Sequence, residues 1–542
     1  MKIHSIPKMP SRRDFLIYSL TSTASLALSG IMSGCTTFAF IGDTVIPIEE
    51  LQPPNIQCDH GIYLKNCNIL DVKNGQVIKG HGIKIRNQKI NTIDREYDLK
   101  NDHALEINLN DAYVIPGLID SHCHITFPCT YGFNILDLLI YFKQMKKNYN
   151  QHIRSGITTV RDMGAFSLLL QYFNSQLANG NLVGPRVIFC NKFTNVYRSH
   201  PDIAPPDFTK WAVIDDLTIG DQSIWFNDMN ELISGLEWNI KHNASFIKIT
   251  LDDYSLMCGG GKIPIYQTDH LRTIFDYSER YNLPVAGHAL RKFGFNRGMQ
   301  WNIHSLEHTI GDAYHTDEEI EAMVKKKVSI NPTLTIAQMY AVEEAYQHIP
   351  KEYQNDFIFD VLESRRDFIY LPQDQFIHRK IHRNNRKMLS YYKQYDPKSI
   401  FNNKIYVADP ELFFGVLKHA PLNLKKMREA GVTIGCGTDA GMPFILHGLL
   451  VQEMELLSKV GFSHKEILQC ATINNAKILN MEDQIGSLEK GKLADLTVLK
   501  SNPLVNLNAY KDPLLVIKEG KVMYIKDDKK PLIQEKLFLN VT

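Results

Sequence analysis

None of the nine cysteines of this 542-residue chain forms a CxxC pair, which argues against zinc ribbons and thioredoxin-like redox sites. Charge of either sign is not in excess: 60 Lys and Arg stand against 59 Asp and Glu. Such a balance leaves no electrostatic footprint for nucleic acid, so none is expected as a partner. No HExxH motif occurs, which disfavours a zincin protease. Beyond the N-terminal segment, no run reaches the roughly 18 apolar residues that a bilayer-spanning helix needs. Internal repeats and low-complexity tracts are missing as well. What is there is ordinary for a folded protein, 44% apolar and 22% charged, with length enough for one large core and an accessory domain.

The N-terminus reads as an address and not as fold. SRRDFLIYSLTSTASLALSGIMSGC pairs Arg12 with Arg13, continues through an apolar and small-residue run, and ends in Gly34-Cys35. That order is the plan of a secretory signal. SRRDFL resembles the twin-arginine export motif, and IMSGC is similar to a bacterial lipobox, departing from it at the first position. The resemblance implies lipidation at Cys35 and a body held at a membrane surface, on the periplasmic or cell-surface side of a bacterial membrane. A plain N-terminal membrane anchor is the alternative. The expected organisation is a signal and lipobox at 1–35 and a tether at 36–58. A β domain begins at 59–112, a barrel follows at 113–485, and 486–542 completes the β domain.

Those boundaries follow changes of texture. Residues 61–93 carry short strands broken by Asn-Gly and Gly-rich turns, a β-meander pattern. From about 113, short apolar strands alternate with longer helical stretches: AYVIPGLIDSHCHI, GITTVRDMG, PRVIFC, SFIKIT, LPVAGHA, IHSLEH, VSINPT and GVTIGCGTD. Eight such strands, each followed by helix-like sequence, predict an α/β fold, a (β/α)8 TIM barrel. A polar, aromatic, helix-forming segment at about 337–420 reads as an insertion over the barrel mouth. Its His378 and His382, one turn apart, read as a solvated basic face, as do Lys143, Lys146 and Lys147. Cys190 and Cys436 read as small core residues. The tail, GSLEKGKLADLTVL and PLLVIKEGKVMYI, returns to turn-and-strand texture. It is expected to pair with the N-terminal strands in a small β-sandwich.

The chemistry is concentrated at strand ends. In SFIKIT, Lys248 interrupts an apolar β-branched run; on a strand covered on both faces its amine points into protein. An edge strand with a snorkelling lysine is the plain alternative. The first strand ends in His122-Cys123-His124, with both imidazoles on one face. The fifth ends in His288, the sixth in His308 and the eighth in Asp439. Each has an ordinary reading as a core histidine or a turn residue, but all five strand ends belong to the face where barrels keep their active sites. Imidazoles with a carboxylate suit Zn2+ or a similar divalent ion.

PGLIDSHCHI, FIKIT, GHA, SLEHT and GTDAG, in that order, together with ATINNAKILNMEDQIGSLEKGKLADLTVL, resemble the amidohydrolase superfamily. Within it they are most similar to the imidazolonepropionase-like and Xaa-Pro dipeptidase branch. The resemblance runs from about residue 60 to 525 and fails mainly in the insertion. It implies two divalent ions, Zn2+ or else Mn2+, held by His122, His124, Lys248, His288, His308 and Asp439, with Lys248 carrying a CO2-derived carbamate that bridges them. It further implies a metal-bridging hydroxide, with Asp439 as general base and then acid. The substrate expected is a small amide: a dipeptide such as Xaa-Pro, an N-acyl amino acid or a cyclic amide. A deaminase of this superfamily would place glutamate three residues after the strand-five histidine, where this chain has Arg291. His200 matches a substrate-contacting histidine, although Arg198 and Ser199 replace the glycines before it; a surface-loop histidine is the alternative reading. Two other functions stay open: hydrolysis of a lactone or phosphotriester by the same metals, and a surface lipoprotein that binds without turnover. By analogy with the family, a homo-oligomer is possible.

Overall fold

The structure is a computed structural model, and it describes residue 51 and residues 60–95, 104–130, 137–200, 222–255, 261–370, 373–392 and 409–526. The signal, Cys35, nearly all of the tether and the last residues of the tail lie outside the described residues.

The chain begins with β1 (Ile62–Asp71), β2 (Gln76–Arg86), β3 (Lys89–Arg95) and β4 (Leu105–Pro116). β2 and β3 meet at Asn87-Gln88, whose φ values of 48° and 68° are the left-handed pair that a tight two-residue hairpin requires. β4 passes through Gly117 directly into β5 (Leu118–Cys123), which is buried along its whole length.

From β5 the strands run parallel. β5 pairs with β6 (Ile157–Asp162), and β6 with β7 (Arg186–Phe189). A second parallel group contains β8 (Phe193–Val196), β9 (Ser223–Phe226) and β10 (Ile247–Thr250). After a short hairpin of β11 (Tyr254–Ser255) and β12 (Gly261–Lys262) it continues with β13 (Val285–His288), β14 (Ser305–Glu307) and β15 (Ser329–Asn331). Its spatial order is β15-β14-β13-β10-β8-β9. The Ser245 amide donates to the Phe189 carbonyl at 2.8 Å, joining the end of β7 to the approach to β10. Apolar strands covered on both sides are what a parallel sheet with flanking helices demands.

Two expectations needed revision. β8 and β9, four residues each, were not anticipated between the third and fourth strands. The stretch 431–439, expected as an eighth strand, forms no regular ladder: isolated bridges join its Ile434 to Ile330 and, just past its end, Ala440 to Cys123. Its backbone still bonds both neighbours: Gly435 N to Ile330 O at 2.8 Å and Ser121 N to Cys436 O at 3.2 Å. The left-handed Asp439 (φ 61°) and two close glycine approaches keep it from running as a regular ladder. A Cβ on Gly437 would lie 2.6 Å from the Cβ of His122.

The chain then returns as β16 (Leu496–Leu499), β17 (Pro513–Lys518) and β18 (Lys521–Ile525). β16 pairs antiparallel with β4, so both ends of the chain build one seven-stranded sheet, β18-β17-β16-β4-β1-β2-β3. It has its own apolar cluster, including Ile62, Leu64, Ile83, Val114, Leu496 and Ile517.

The described helices of the insertion include Asp356–Tyr370, Arg379–Tyr392 and the start of Pro410–Ala430. It is fastened to the helix Leu138–Arg154, whose Gln144 and Lys147 donate to the Phe376 and Asp374 carbonyls at 2.8 and 2.6 Å. Asn385 reaches the Cys129 carbonyl in the loop after β5 at 2.7 Å. Lys147 is not on a solvated face; the insertion covers it, leaving 8% exposed. His382 is also buried, with Nε2 3.1 Å from the Ile369 carbonyl. Among the described residues no helix is long and apolar enough to cross a bilayer.

Burial lowers Lys147 from 10.5 to about 8. Between those values the unfolded chain holds a proton that the folded chain has released, so this group makes stability rise as pH climbs from about 8 to 10.5. Lys147→Met is expected to remove that rise, read as the change in Tm between pH 8 and pH 10, and to speed protease cleavage within 373–378. An unchanged pH slope with unchanged cleavage would show that Lys147 does not hold the insertion.

Candidate metal centre

The residues singled out at strand ends converge. His122, His124, Lys248, His288, His308 and Asp439 are all at most 7% exposed. Asp439 Oδ1 lies 3.2 Å from His122 Nε2 and 3.1 Å from His124 Nε2, and these three residues can bring one donor atom each to a shared ion. The His122 and His308 rings lie 4.9 Å apart, and those of His308 and His288 4.5 Å apart. His200, half-buried, stacks on His288 at 4.4 Å, and its Nδ1 has no hydrogen-bond partner among the described residues.

The imidazoles are held in one tautomer. His122 Nδ1 donates to Glu307 Oε2 at 2.8 Å and His124 Nδ1 to the Gly164 carbonyl at 2.7 Å. Thr333 Oγ1 donates to its neighbouring Pro332 carbonyl, so it accepts from His308 Nδ1 at 2.6 Å. Protons assigned by these bonds to Nδ1 leave three Nε2 lone pairs for a cation, the usual outer support of a metal-binding histidine. The backbone is strained to achieve this: His308, Thr333 and Asp439 have φ of 76°, 47° and 61°. Left-handed conformations at such residues cost on the order of 1–3 kcal/mol each.

Lys248 is 2% exposed on β10, flanked by Ile247 and Ile249 on the other face, and its Nζ has no hydrogen-bond partner among the described residues. Burial lowers it from 10.5 to about 8, against the pull of Glu307 and Asp439. The same burial, with neighbouring positive groups, holds His288 and His308 well below the ordinary 6.5. For Asp439 burial alone would raise the pKa, but His122 and His124 hold it well below the usual carboxylate range. His288 Nε2 is also buried without a hydrogen bond; its nearest carboxylate oxygen, on Asp252, is 3.7 Å away. Two orphaned nitrogens beside a carboxylate and three prepared imidazoles are donors that fit a divalent ion.

Sequence reading missed the layer behind the site. Glu307, fully buried, accepts from His122, from Arg161 Nη1 at 3.0 Å, from Ser305 Oγ at 2.7 Å and from Asn331 Nδ2 at 3.0 Å. Arg161, 1% exposed, also lies over the Phe246 ring at 4.4 Å. Asp120 ties β5 to the Asp439 segment through Thr438, 2.7 Å from its Oγ1 and 3.1 Å from its amide. The signal for Arg161 and Glu307 was the one that marked Lys248: a charge inside an apolar strand. Two other polar residues, Arg198 and Tyr254, are not part of the cluster. Arg198 is exposed, and Tyr254 bonds Asp409 at 3.3 Å beneath the Arg291 guanidinium.

Residues 113–523 match the amidohydrolase family. The chain belongs to that family. Among curated amidohydrolase relatives, an imidazolonepropionase of Fusobacterium nucleatum is 35% identical over 104 residues, 18% of this chain and 24% of that protein. A guanine deaminase of Escherichia coli K12 is 34% identical over 113 residues, 20% and 26% of the two chains. The matches thus span about a quarter of those relatives' length. A Xaa-Pro dipeptidase solved with methionine in its active site superposes with a TM-score of 0.63 at 22% identity, over 86% of this chain and all of that one. Solved amidohydrolases of this kind are TIM barrels, and the family is generally metal-dependent.

Proposed function

We propose that this amidohydrolase is a binuclear metal-dependent enzyme that hydrolyses a small amide, on a (β/α)8 barrel with a β-sandwich domain made from both ends of the chain. The observation that carries the proposal is the Lys248 amine, buried at 2% exposure with no hydrogen bond, among four histidines and Asp439. An unsatisfied buried amine is costly, and it is retained where it has chemistry to do.

In this reading His122, His124 and Asp439 would hold one divalent ion, His288 and His308 would hold the other, and Lys248 would serve both. A neutral Lys248 amine attacks CO2, forming an N–C bond and releasing one proton; the product is an anion where a buried cation would otherwise stand. The ions, when bound, supply a Lewis acid for the scissile carbonyl and an acidified water. Asp439 would take a proton from the attacking water and pass it to the leaving amine nitrogen. Glu307, the Gly164 carbonyl and Thr333 keep the His122, His124 and His308 protons on Nδ1 throughout. His200, stacked on His288, is placed to meet the substrate carbonyl oxygen. Deamination is disfavoured because Arg291, three residues after His288, is engaged with Asp253 at 3.0 Å and Asp312 at 3.3 Å. The N-terminal sequence supports an exported protein held at a membrane surface.

The test is a panel of Xaa-Pro and other dipeptides, N-acyl amino acids, cyclic amides, lactones and phosphotriesters, run with Zn2+ or Mn2+ and bicarbonate, with metal content measured in parallel. Turnover of an amide by protein holding two ions per chain is expected. Turnover restricted to lactones or phosphotriesters would remove the amide assignment, and failure to retain metal would leave a binding protein. Asp439→Asn is expected to lower kcat by about 10²–10⁴-fold, the usual range for a lost acid–base group, with KM changing much less. A change confined to KM would place Asp439 outside proton transfer.

A further inference from the structure

A second set of donor atoms lies on the opposite side of β5. Side chains alternate along a strand, so Cys123 faces away from its neighbours His122 and His124. There it meets His152, in the last turn of the helix Leu138–Arg154, and His447, in the segment after Asp439. Cys123 and His152 are fully buried and His447 is 2% exposed. One donor atom from each, a sulfur and two ring nitrogens, lie within 4.8 Å of one another.

We infer that Cys123, His152 and His447 form a separate, buried site for a soft monovalent cation of the Cu+ kind. His447 Nε2 is 3.4 Å from the Phe127 carbonyl, to which it donates, so its Nδ1 carries a lone pair. That Nδ1 is 3.1 Å from His152 Nε2, a separation at which two imidazoles reach one ion at about 2.0–2.1 Å each. A plain hydrogen bond between the rings accounts for the same distance, and His152 Nδ1 is buried with no partner among the described residues in either arrangement. Binding through Nε2 lets the His152 proton move to Nδ1 and turns both rings into ligands.

Charge selects the ion. Binding breaks the Cys123 S–H bond, forms a sulfur–metal bond and releases one proton, so a thiolate with Cu+ is neutral. The same thiolate with Zn2+ leaves one positive charge in a dry pocket. Burial drives His152 down to about 3 and His447 well below the ordinary 6.5, and burial with the Asp120, Asp162 and Asp439 carboxylates pushes the Cys123 thiol well above its usual range, so the pocket opposes an uncompensated charge of either sign. Thiolate and imidazole donors also suit Cu+ by softness, and three ligands complete its coordination without water. The bound ion would clamp β5, the helix Leu138–Arg154 and the segment after Asp439, fixing the strand that carries His122 and His124 from behind.

The test titrates the purified full chain anaerobically with Cu+ against a chromogenic Cu+ chelator. Retention of a single Cu+ per chain is expected, with a near-ultraviolet thiolate-to-copper band and X-ray absorption showing one sulfur and two nitrogen neighbours. The proposed catalytic centre contains no sulfur, so this signature reports on the second site whatever becomes of the amidohydrolase reading. His152→Gln and His447→Gln are each expected to weaken retention at least about tenfold, while Asp439→Asn keeps the band. Should either glutamine variant fail to fold, Cys123→Ser, nearly equal in volume, abolishes the band by the same argument. Loss of Cu+ to the chelator, coordination without sulfur, retention indifferent to all three substitutions, or preferential retention of Zn2+ by the triad in Asp439→Asn protein would each overturn the assignment.

Discussion

Lys248→Ala is expected to lower kcat/KM by about 10³-fold or more, the scale of losing a preorganised electrostatic element from a closed site, and to leave the chain unable to retain two metal ions. Stability should move the other way. Without metal, Lys248 is a buried amine lacking a hydrogen bond, and replacing it with an apolar side chain relieves a penalty of about 1–3 kcal/mol. Lys248→Met is therefore expected to raise the Tm of metal-free protein while abolishing turnover, the opposition found where function is built on local instability. A carbamate makes a finer prediction. In Lys248→Ala, a short carboxylic acid that fits the space left by the side chain should restore part of the activity, whereas Lys248→Met, which fills that space, should not respond. Full metal retention and normal turnover in Lys248→Ala would end the proposal that this lysine bridges two ions.

Glu307→Ala is expected to be the most destabilising single change near the site, at about 3–5 kcal/mol, because it leaves the Arg161 guanidinium buried without a partner. The pair is 3.0 Å apart, with side-chain exposures of 1% and 0%. Urea denaturation of Glu307→Ala, Arg161→Met and the double variant checks this. The double variant should recover much of the loss, since removing both charges removes the uncompensated one. Glu307→Gln keeps the shape but weakens the acceptor for His122 Nδ1. It should cost about 10–100-fold in metal affinity, as changes behind a metal ligand do. Additive losses in the cycle would mean that Arg161 and Glu307 do not act as a pair.

The parts of the site legible in the sequence are those whose chemistry is local. His122, His124, His288 and His308 end short apolar stretches, Lys248 interrupts one, and Asp439 follows a glycine-rich stretch. Strand texture and residue type were sufficient to nominate all six. What escaped reading depends on partners far along the chain. Glu307 joins Arg161 across 146 residues and His122 across 185, and nothing near any of them names the other. Lys147 read as a surface lysine because its cover, the Asp374 carbonyl, lies 227 residues away. β8 and β9 were missed although they are as long as β7, β10 and β13. The segment 431–439 looked like a strand from composition, but close glycine contacts and the left-handed Asp439 reduce it to bridges.

The direct join between β4 and β5 orders events during synthesis. β16, nearly four hundred residues later, supplies the antiparallel neighbour of β4, with Val114 opposite Val498 and Pro116 opposite Leu496. A nascent chain that has emerged only as far as Asp439 possesses every proposed ligand, yet the strand leading into His122 still lacks one edge. Assembly of a loadable centre is therefore expected to wait until β16 has emerged, and ribosome-stalled chains ending before Leu496 should capture metal poorly although their ligands are complete.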